Sequence, residues 1–141
     1  MMMIFIGSDH RGFALKNELM KALPNLNWVD CGCPSTERTD YPIYAASVCE
    51  KVLQNPTTHR GILICGSGIG MSVAANRYKK IYAALCWNEA ITLSARADDN
   101  ANILVLPASE VDAATAIKLI EIFLATPFKG GTYAQRLCMI D

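Results

Sequence analysis

The sequence lacks an excess of charge of either sign. Its 141 residues include 13 basic and 13 acidic side chains, which gives a formal net charge of zero. Proteins that bind nucleic acids or anionic membrane surfaces through their overall charge carry a basic excess. We therefore expect neither nucleic acid nor a membrane among the partners of this chain.

Long apolar runs, internal repeats, linkers and low-complexity segments are also missing. No apolar run approaches the ~20 residues that a helix needs to cross a bilayer. The opening MMMIFIGSD has a short apolar stretch with no basic region before it, which is unlike a secretory signal. We expect a cytoplasmic protein whose six cysteines remain thiols in a reducing compartment.

Alternating apolar and amphipathic segments fill the chain instead, and they are consistent with one domain over residues 1–141. Short apolar runs predict buried strands at Met3–Gly7, Trp28–Cys31, Gly61–Cys65, Tyr82–Trp87 and Asn102–Leu106. Helical spacing predicts helices at Gly12–Leu23, Tyr41–Leu53, from the glycine-rich turn to about Tyr78, at Asn88–Arg96, at Asp112–Ala125, and for a final turn or two near the end.

This alternation predicts an α/β fold, in which helices cover both faces of a five-stranded parallel sheet in three layers. Ligands of such sheets bind where the strands end at their carboxyl termini. The segments that follow the first, second, third and fifth strands are accordingly the candidates for a functional site.

The segment GILICGSGIGMSVAAN, residues 61–76, is the most informative of these. Cys65 ends the predicted strand, and Gly66, Ser67, Gly68 and Gly70 form a turn before the helix. Such turns direct backbone N–H groups at an anion, and the same environment favours a thiolate over a thiol. A base and an oxyanion hole could thus share one turn. The alternative is that Cys65 is a small buried apolar residue in a tightly packed turn.

Other motifs in the sequence are incomplete. GSGIG lacks the third glycine of a dinucleotide-binding fingerprint, because Met71 stands there, and it lacks the lysine of a P-loop. Cys31 and Cys33 have no second pair that would complete a zinc site. His59 stands in a polar loop, where we expect it to be solvated.

Ser8, Asp9 and His10 follow the first strand. A carboxylate beside an imidazole at the end of a strand suits proton shuttling or the binding of sugar hydroxyls. The alternative is that Asp9 or Ser8 caps the helix that comes next.

Together these segments resemble the type B ribose-5-phosphate isomerases, a family that includes allose-6-phosphate and galactose-6-phosphate isomerases. The matching segments span nearly the whole chain in the family's order: GSDHRGFALKNEL, DCGCPSTERTDYPIYA, GILICGSGIGMSVAANR and GGTYAQR. The resemblance implies a Rossmann-like sheet in the order 2-1-3-5-4. It also implies a homodimer, or a dimer of such dimers, with active sites at the subunit interface and no metal or organic cofactor.

The resemblance assigns roles to single residues. Cys65 matches the base that moves a proton between C1 and C2, and Ser67 matches a hydroxyl residue beside it. Asp9 matches the group that handles substrate oxygens, and Tyr41 matches a tyrosine near the thiol. One branch of the family has a glutamate base where this chain has Met71, so the resemblance is to the cysteine branch.

The remaining matches concern anions. Gly66, Gly68, Ile69 and Gly70 match the anion hole for an enediolate. His10 and Arg136 match contacts to the substrate phosphate, although Arg136 by itself would be an ordinary surface residue.

Three positions depart from the family pattern. Asp98 stands where the family has the histidine that opens the sugar ring, Asp99 replaces the next asparagine, and Thr132 replaces a phosphate-binding arginine. Two added carboxylates and a lost arginine disfavour a dianionic phosphate by Coulomb's law. A carboxylate at position 98 can still act as a general base for ring opening.

From the sequence we therefore predict an aldose–ketose isomerase of the pentose phosphate pathway that interconverts D-ribose 5-phosphate and D-ribulose 5-phosphate through an enediolate. Two alternatives stay open. One is an isomerase of a six-carbon sugar phosphate, such as allose or galactose 6-phosphate. The other is a non-catalytic sugar-phosphate binder, which the departures at positions 98, 99 and 132 favour.

Overall fold

The computed structural model describes residues 1–141 as a five-stranded parallel sheet flanked by helices. The strands are β1 (Ile4–Ser8), β2 (Trp28–Asp30), β3 (Arg60–Cys65), β4 (Ala83–Leu85) and β5 (Ile103–Pro107). The helices are α1 (Phe13–Ala22), α2 (Tyr41–Val52), α3 (Ile69–Ala75), α4 (Glu89–Ala97), α5 (Ala113–Ala125) and α6 (Thr132–Ile140). The sheet order is β2-β1-β3-β5-β4, which confirms the predicted α/β class and strand order.

Two hydrophobic cores lie on the two faces of this sheet. Ile62 and Ile64 of β3 enter the core that α1, α4 and α5 cover. Leu63 and Cys65 enter the opposite core, beneath α2 and α3. This alternation is the two-residue period of a strand that is buried on both faces. No helix combines the length and the apolar character that crossing a membrane requires.

The ends of several elements follow from local hydrogen bonds. Asn88 and Asp112, the residues at which two helices were predicted to begin, are their N-caps: Asn88 Oδ1 accepts the N–H of Ile91, and Asp112 Oδ1 accepts that of Thr115. Helix α3 ends earlier than predicted, because the Asn76 side chain donates to the Ala83 carbonyl and accepts the Ala83 N–H. The final turn or two is a nine-residue helix, α6.

The parallel register separates two ends of the sheet. We call the end at Ser8, Cys65 and Pro107 the carboxyl edge, and the end at Ile4, Gly61 and Ile103 the amino edge. Cys65 pairs in register with Pro107, and Gly61 with Ile103. Because a strand rises about 3.3 Å per residue, the two edges are roughly 13 Å apart along β5.

Candidate active site

Cys65 lies at the carboxyl edge, where β3 passes into the glycine-rich turn. Its side chain is 5% exposed, and its sulfur accepts the N–H of Gly68 at 3.2 Å. Gly68 adopts φ +77°, and a Cβ there would lie 2.4 Å from Cδ1 of Leu85. Glycine is therefore needed at this position, because only a residue without Cβ turns this N–H back toward the sulfur at low cost.

The other N–H groups of the turn divide into two kinds. The N–H of Ile69 donates to Ser67 Oγ at 3.2 Å, so that donor is already used. The N–H groups of Ser67 and Gly70 have no backbone acceptor within the chain. The turn therefore presents free backbone donors to an anion at the end of β3.

Tyr41, the first residue of α2, lies beside this turn. A Cβ at Gly70 would lie 2.8 Å from Tyr41 Cζ, so the absence of a side chain lets the phenol approach the start of α3. Met71, one residue further, is fully buried in the core beneath α2 and α3. The side chain at position 71 is thus part of the same core as Cys65, and its thioether offers no base.

Asp9 and His10 occupy the neighbouring turn after β1. Asp9 is buried, and its Oδ1 accepts the N–H groups of Arg11 at 2.9 Å and Gly12 at 3.1 Å. This oxygen thus closes the turn between β1 and α1, whereas α1 itself begins after Gly12 without a side-chain cap, so the alternative that Asp9 or Ser8 caps this helix is wrong. His10 Nδ1 accepts the N–H of Thr39 at 3.2 Å, which leaves the proton of the neutral ring on Nε2.

Four predicted site residues lie elsewhere. Asp98 caps the end of α4, and its Oδ1 lies 2.9 Å from Lys129 Nζ. Asp99 lines a cavity at the base of α6, and Thr132 is the first residue of α6. The Arg136 guanidinium lies 5.5 Å from the centroid of the Tyr133 ring. All of these positions belong to the segments that flank the amino edge.

A single chain therefore does not bring all predicted site residues together. The carboxyl edge gathers the thiol, the glycine-rich turn and the turn after β1: Asp9, His10, Tyr41, Cys65, Gly66, Ser67, Gly68, Ile69 and Gly70. The amino edge gathers Asp98, Asp99, Thr132 and Arg136.

Sequence reasoning missed three cations that the fold places near these groups. Arg11 lies against Gly66, and Lys129 pairs with Asp98. Lys16 is 1% exposed, and its Nζ donates to Asp30 Oδ1 at 2.8 Å and to the Cys33 carbonyl at 2.9 Å. Lys16 thereby anchors the loop that carries the partner of His10. The position of Arg11 directly after Asp9 and His10 was the available signal for the first of them.

The prediction that His59 is solvated is wrong. Its ring packs edge-on against Phe5, with centroids 5.2 Å apart, and its Nδ1 is buried without a hydrogen-bond partner. All six cysteines are unpaired, and burial raises the pKa of Cys49 to about 12. No three His, Cys, Asp or Glu side chains lie together as metal ligands would.

A cavity of about 350 Å³ opens beside the glycine-rich turn. It is lined by Ser67, Ile69, Leu85, Trp87, Pro107 and Glu110. A larger groove of about 620 Å³ runs between α4 and α5, but it contains none of the predicted site residues. The smaller cavity adjoins the turn that holds the thiol, and two predicted site residues, Ser67 and Ile69, line it.

Comparison with known proteins gives a consistent result. The family model described as Ribose/Galactose Isomerase matches residues 4–140. The crystal structure of a ribose 5-phosphate isomerase from Thermotoga maritima superposes with a TM-score of 0.95 at 44% identity, covering 99% of this chain and 97% of that one. Ribose 5-phosphate isomerase B from Anaplasma phagocytophilum gives 0.92 at 38% identity, with 99% and 96% covered.

A third structure contains a ligand. Ribose-5-phosphate isomerase B from Mycoplasma genitalium, solved with bound ribulose-5-phosphate, superposes with a TM-score of 0.94 at 39% identity. The alignment covers 99% of this chain and 93% of that one.

Proposed function

Because the chain belongs to the ribose/galactose isomerase family, we propose that it interconverts D-ribose 5-phosphate and D-ribulose 5-phosphate. The observation that carries the proposal is the Cys65 sulfur, held by the Gly68 N–H at the mouth of a turn with free backbone donors. The ribulose-5-phosphate bound to the Mycoplasma genitalium relative supports the choice of a five-carbon substrate.

The proposed reaction is an internal proton transfer. The Cys65 thiolate takes the proton from C2 of the open-chain aldose, and the electron pair moves through C1 onto the carbonyl oxygen. The resulting cis-enediolate carries its negative charge on oxygen. Delivery of the proton from sulfur to C1, with transfer of the O2 proton to O1, gives the ketose without any external oxidant or reductant.

The residues of the carboxyl edge fit these steps. The Gly68 N–H donates to the Cys65 sulfur and fixes its position, and the free N–H groups of Ser67 and Gly70 can stabilise the enediolate oxygen. The second carboxylate oxygen of Asp9, which does not accept the N–H groups of Arg11 and Gly12, can move the oxygen-bound proton. Tyr41 covers the turn from the side of α2.

The proposal includes a homodimer in the cytoplasm. A two-fold partner can bring its amino-edge residues, Arg136 among them, to the carboxyl edge of the first chain. An apolar surface beside the turn supports this arrangement: Ile43 is 63% exposed, and Ile69 and Val73 are each 60% exposed. Side chains of this size are suited to burial against a second copy.

A coupled isomerase assay on three substrates tests the function. Ribose 5-phosphate, allose 6-phosphate and galactose 6-phosphate are compared at matched concentrations, and we expect the highest kcat/KM with ribose 5-phosphate. A higher value with either six-carbon sugar would replace the substrate assignment. No turnover of any of them, together with measurable binding, would show a non-catalytic sugar-phosphate binder.

A further inference from the structure

Arg11 has an unusual position for an exposed arginine, because its guanidinium lies over the backbone of the glycine-rich turn. A Cβ built on Gly66 would be 2.4 Å from Arg11 Cζ and 2.5 Å from Nη1. Only a glycine at position 66 leaves room for this approach. The guanidinium therefore lies beside Gly66, the residue that directly follows Cys65. In the sequence, Arg11 directly follows His10.

The donors of this guanidinium are not engaged in ion pairs. The ion pairs of the chain join Lys16 to Asp30, Lys80 to Asp141 and Lys129 to Asp98.

The carbonyl of Gly66, the residue that the guanidinium lies against, is also occupied. The Gly66 carbonyl already accepts the N–H of Ser109 at 3.0 Å and its hydroxyl at 2.6 Å. A guanidinium carries five N–H donors in a planar fork that matches phosphate oxygens in pairs. Arg11 thus presents a free cation at the carboxyl edge.

The charges around the turn differ from place to place. The cavity beside Ser67 and Ile69 includes the carboxylate of Glu110, which disfavours a dianion there by charge repulsion. The exposed Arg11 lies instead against Gly66, and the adjacent His10 has the proton of its neutral tautomer on Nε2.

We propose that Arg11, together with His10, binds the phosphate group of the substrate and thereby determines which end of the sugar meets Cys65. The proposal rests on the proposed function for the identity of the substrate. It adds Arg11 to the phosphate contacts. Because Arg11 and His10 belong to the same chain, this contact does not require a partner subunit. With the phosphate on the Gly66 side, the carbonyl end of the sugar points toward Gly68 and the thiol.

The test compares Arg11→Ala and Arg11→Lys with the wild type. Calorimetry measures the dissociation constants of inorganic phosphate, ribose and ribose 5-phosphate, and steady-state kinetics gives kcat and KM. Lys21→Ala, which removes an exposed cation from the far end of α1, is the matched control.

For Arg11→Ala we expect the KM and dissociation constant of ribose 5-phosphate to rise roughly tenfold to a hundredfold. The dissociation constant of inorganic phosphate should rise by a similar factor, and that of ribose should not change. The kcat should change by less than about threefold. Arg11→Lys should be intermediate, because it keeps the charge but not the fork. Lys21→Ala should match the wild type.

Three results would overturn the proposal. One is unchanged binding of phosphate and ribose 5-phosphate in Arg11→Ala. Another is a lower kcat with unchanged KM, which would assign Arg11 to the enediolate. The third is a wild type that binds ribose as tightly as ribose 5-phosphate. Binding that depends on Arg11 without any turnover would leave the proposal standing and reject the isomerase function instead.

Discussion

Cys65 and Asp98 lie at opposite ends of the same parallel sheet. Cys65 ends β3 at the carboxyl edge, whereas Asp98 precedes β5 at the amino edge and pairs there with Lys129. The strands between them extend roughly 13 Å. If both residues serve one reaction, they must come from different subunits, and this makes the shared site testable by mixing variants.

Mixed dimers should recover activity that neither parent has. Cys65→Ser removes the thiol at the carboxyl edge, and Arg136→Ala removes a cation at the amino edge. After unfolding and joint refolding at equal amounts, half of the dimers are mixed and each has one intact site. We expect about a quarter of the wild-type activity. The assay uses a substrate concentration below KM, at which the activity of Arg136→Ala alone is low.

The matched control pairs two carboxyl-edge variants, Cys65→Ser and Asp9→Asn. Both residues come from the same chain in the proposed site, so no mixed dimer contains an intact one. Recovery in this control, or no recovery with Arg136→Ala, would contradict a site shared between subunits.

Asp98→Asn separates a chemical role from a structural one. If the carboxylate accepts the proton of the anomeric hydroxyl, the variant should slow turnover of cyclic ribose 5-phosphate at least about tenfold, because an amide is not a base. Turnover of ribulose 5-phosphate, which needs no ring opening, should barely change. Stopped assays in the two directions give both rates.

Lys129→Met is the control for the ion pair. Asp98 raises the pKa of Lys129, chiefly by their side-chain hydrogen bond, so the lysine stays charged at assay pH. Because exposed ion pairs contribute little, both variants should unfold near the wild-type temperature. Equal slowing in both directions by Asp98→Asn would assign the carboxylate to structure.

Gly68→Ala should damage both stability and catalysis. Alanine at φ +77° is strained, and its Cβ would meet Leu85. We expect the free energy of unfolding to fall by about 1–3 kcal/mol, and activity to fall further because the N–H no longer faces Cys65. Urea unfolding and kcat measure the two effects.

Gly130→Ala is matched to this change, since Gly130 has φ +70° but open space around it. In Gly130→Ala the free energy of unfolding should fall by only about 1 kcal/mol, which is the cost of placing alanine at a positive φ. Equal losses of stability and activity in the two variants would show that neither depends on the geometry of the glycine-rich turn.

The thiols should differ in reactivity. Iodoacetamide at pH 8 should modify the exposed Cys138 first, whereas Cys49, whose pKa burial raises to about 12, should stay unmodified. In a Cys138→Ser background, inactivation should follow alkylation of Cys65 and be slowed by ribose 5-phosphate. Mass spectrometry that finds inactivation with an unmodified Cys65 would contradict this assignment.

The same burial predicts a pH dependence of stability. Unfolding exposes the Cys49 thiol, so its pKa returns from about 12 toward its ordinary 9.0. The unfolded chain therefore loses this proton first, and the stabilising contribution declines as the pH rises from 9 toward 12. Cys49→Ala should flatten this limb of the urea-unfolding midpoint against pH.

The sequence predicted what local patterns determine. Alternating apolar runs predicted the sheet, and Asn88 and Asp112 predicted two helix starts, because caps act within three residues. The glycine-rich turn was also recognisable, since its conformation depends on residues without side chains. The extent of α6 was underestimated, because its start after two glycines lacks a side-chain cap.

Long-range placements were not predictable in this way. The approach of Arg11 to Gly66 and the anchoring of the β2–α2 loop by Lys16 join segments that are distant in sequence. A lysine at position 16 looks like a surface residue until the fold buries it. Similarly, the separation of Cys65 from Asp98 follows only from the strand register.

Proton exchange in Cys65→Ser tests the central claim most directly. Serine is nearly isosteric with cysteine, but its hydroxyl is too weak an acid to ionise without a base. NMR in deuterated water measures deuterium incorporation at C2 of ribose 5-phosphate, and calorimetry measures binding of the same ligand. We predict that exchange is abolished while the dissociation constant changes by less than about threefold. Exchange near the wild-type rate would show that Cys65 is not the base.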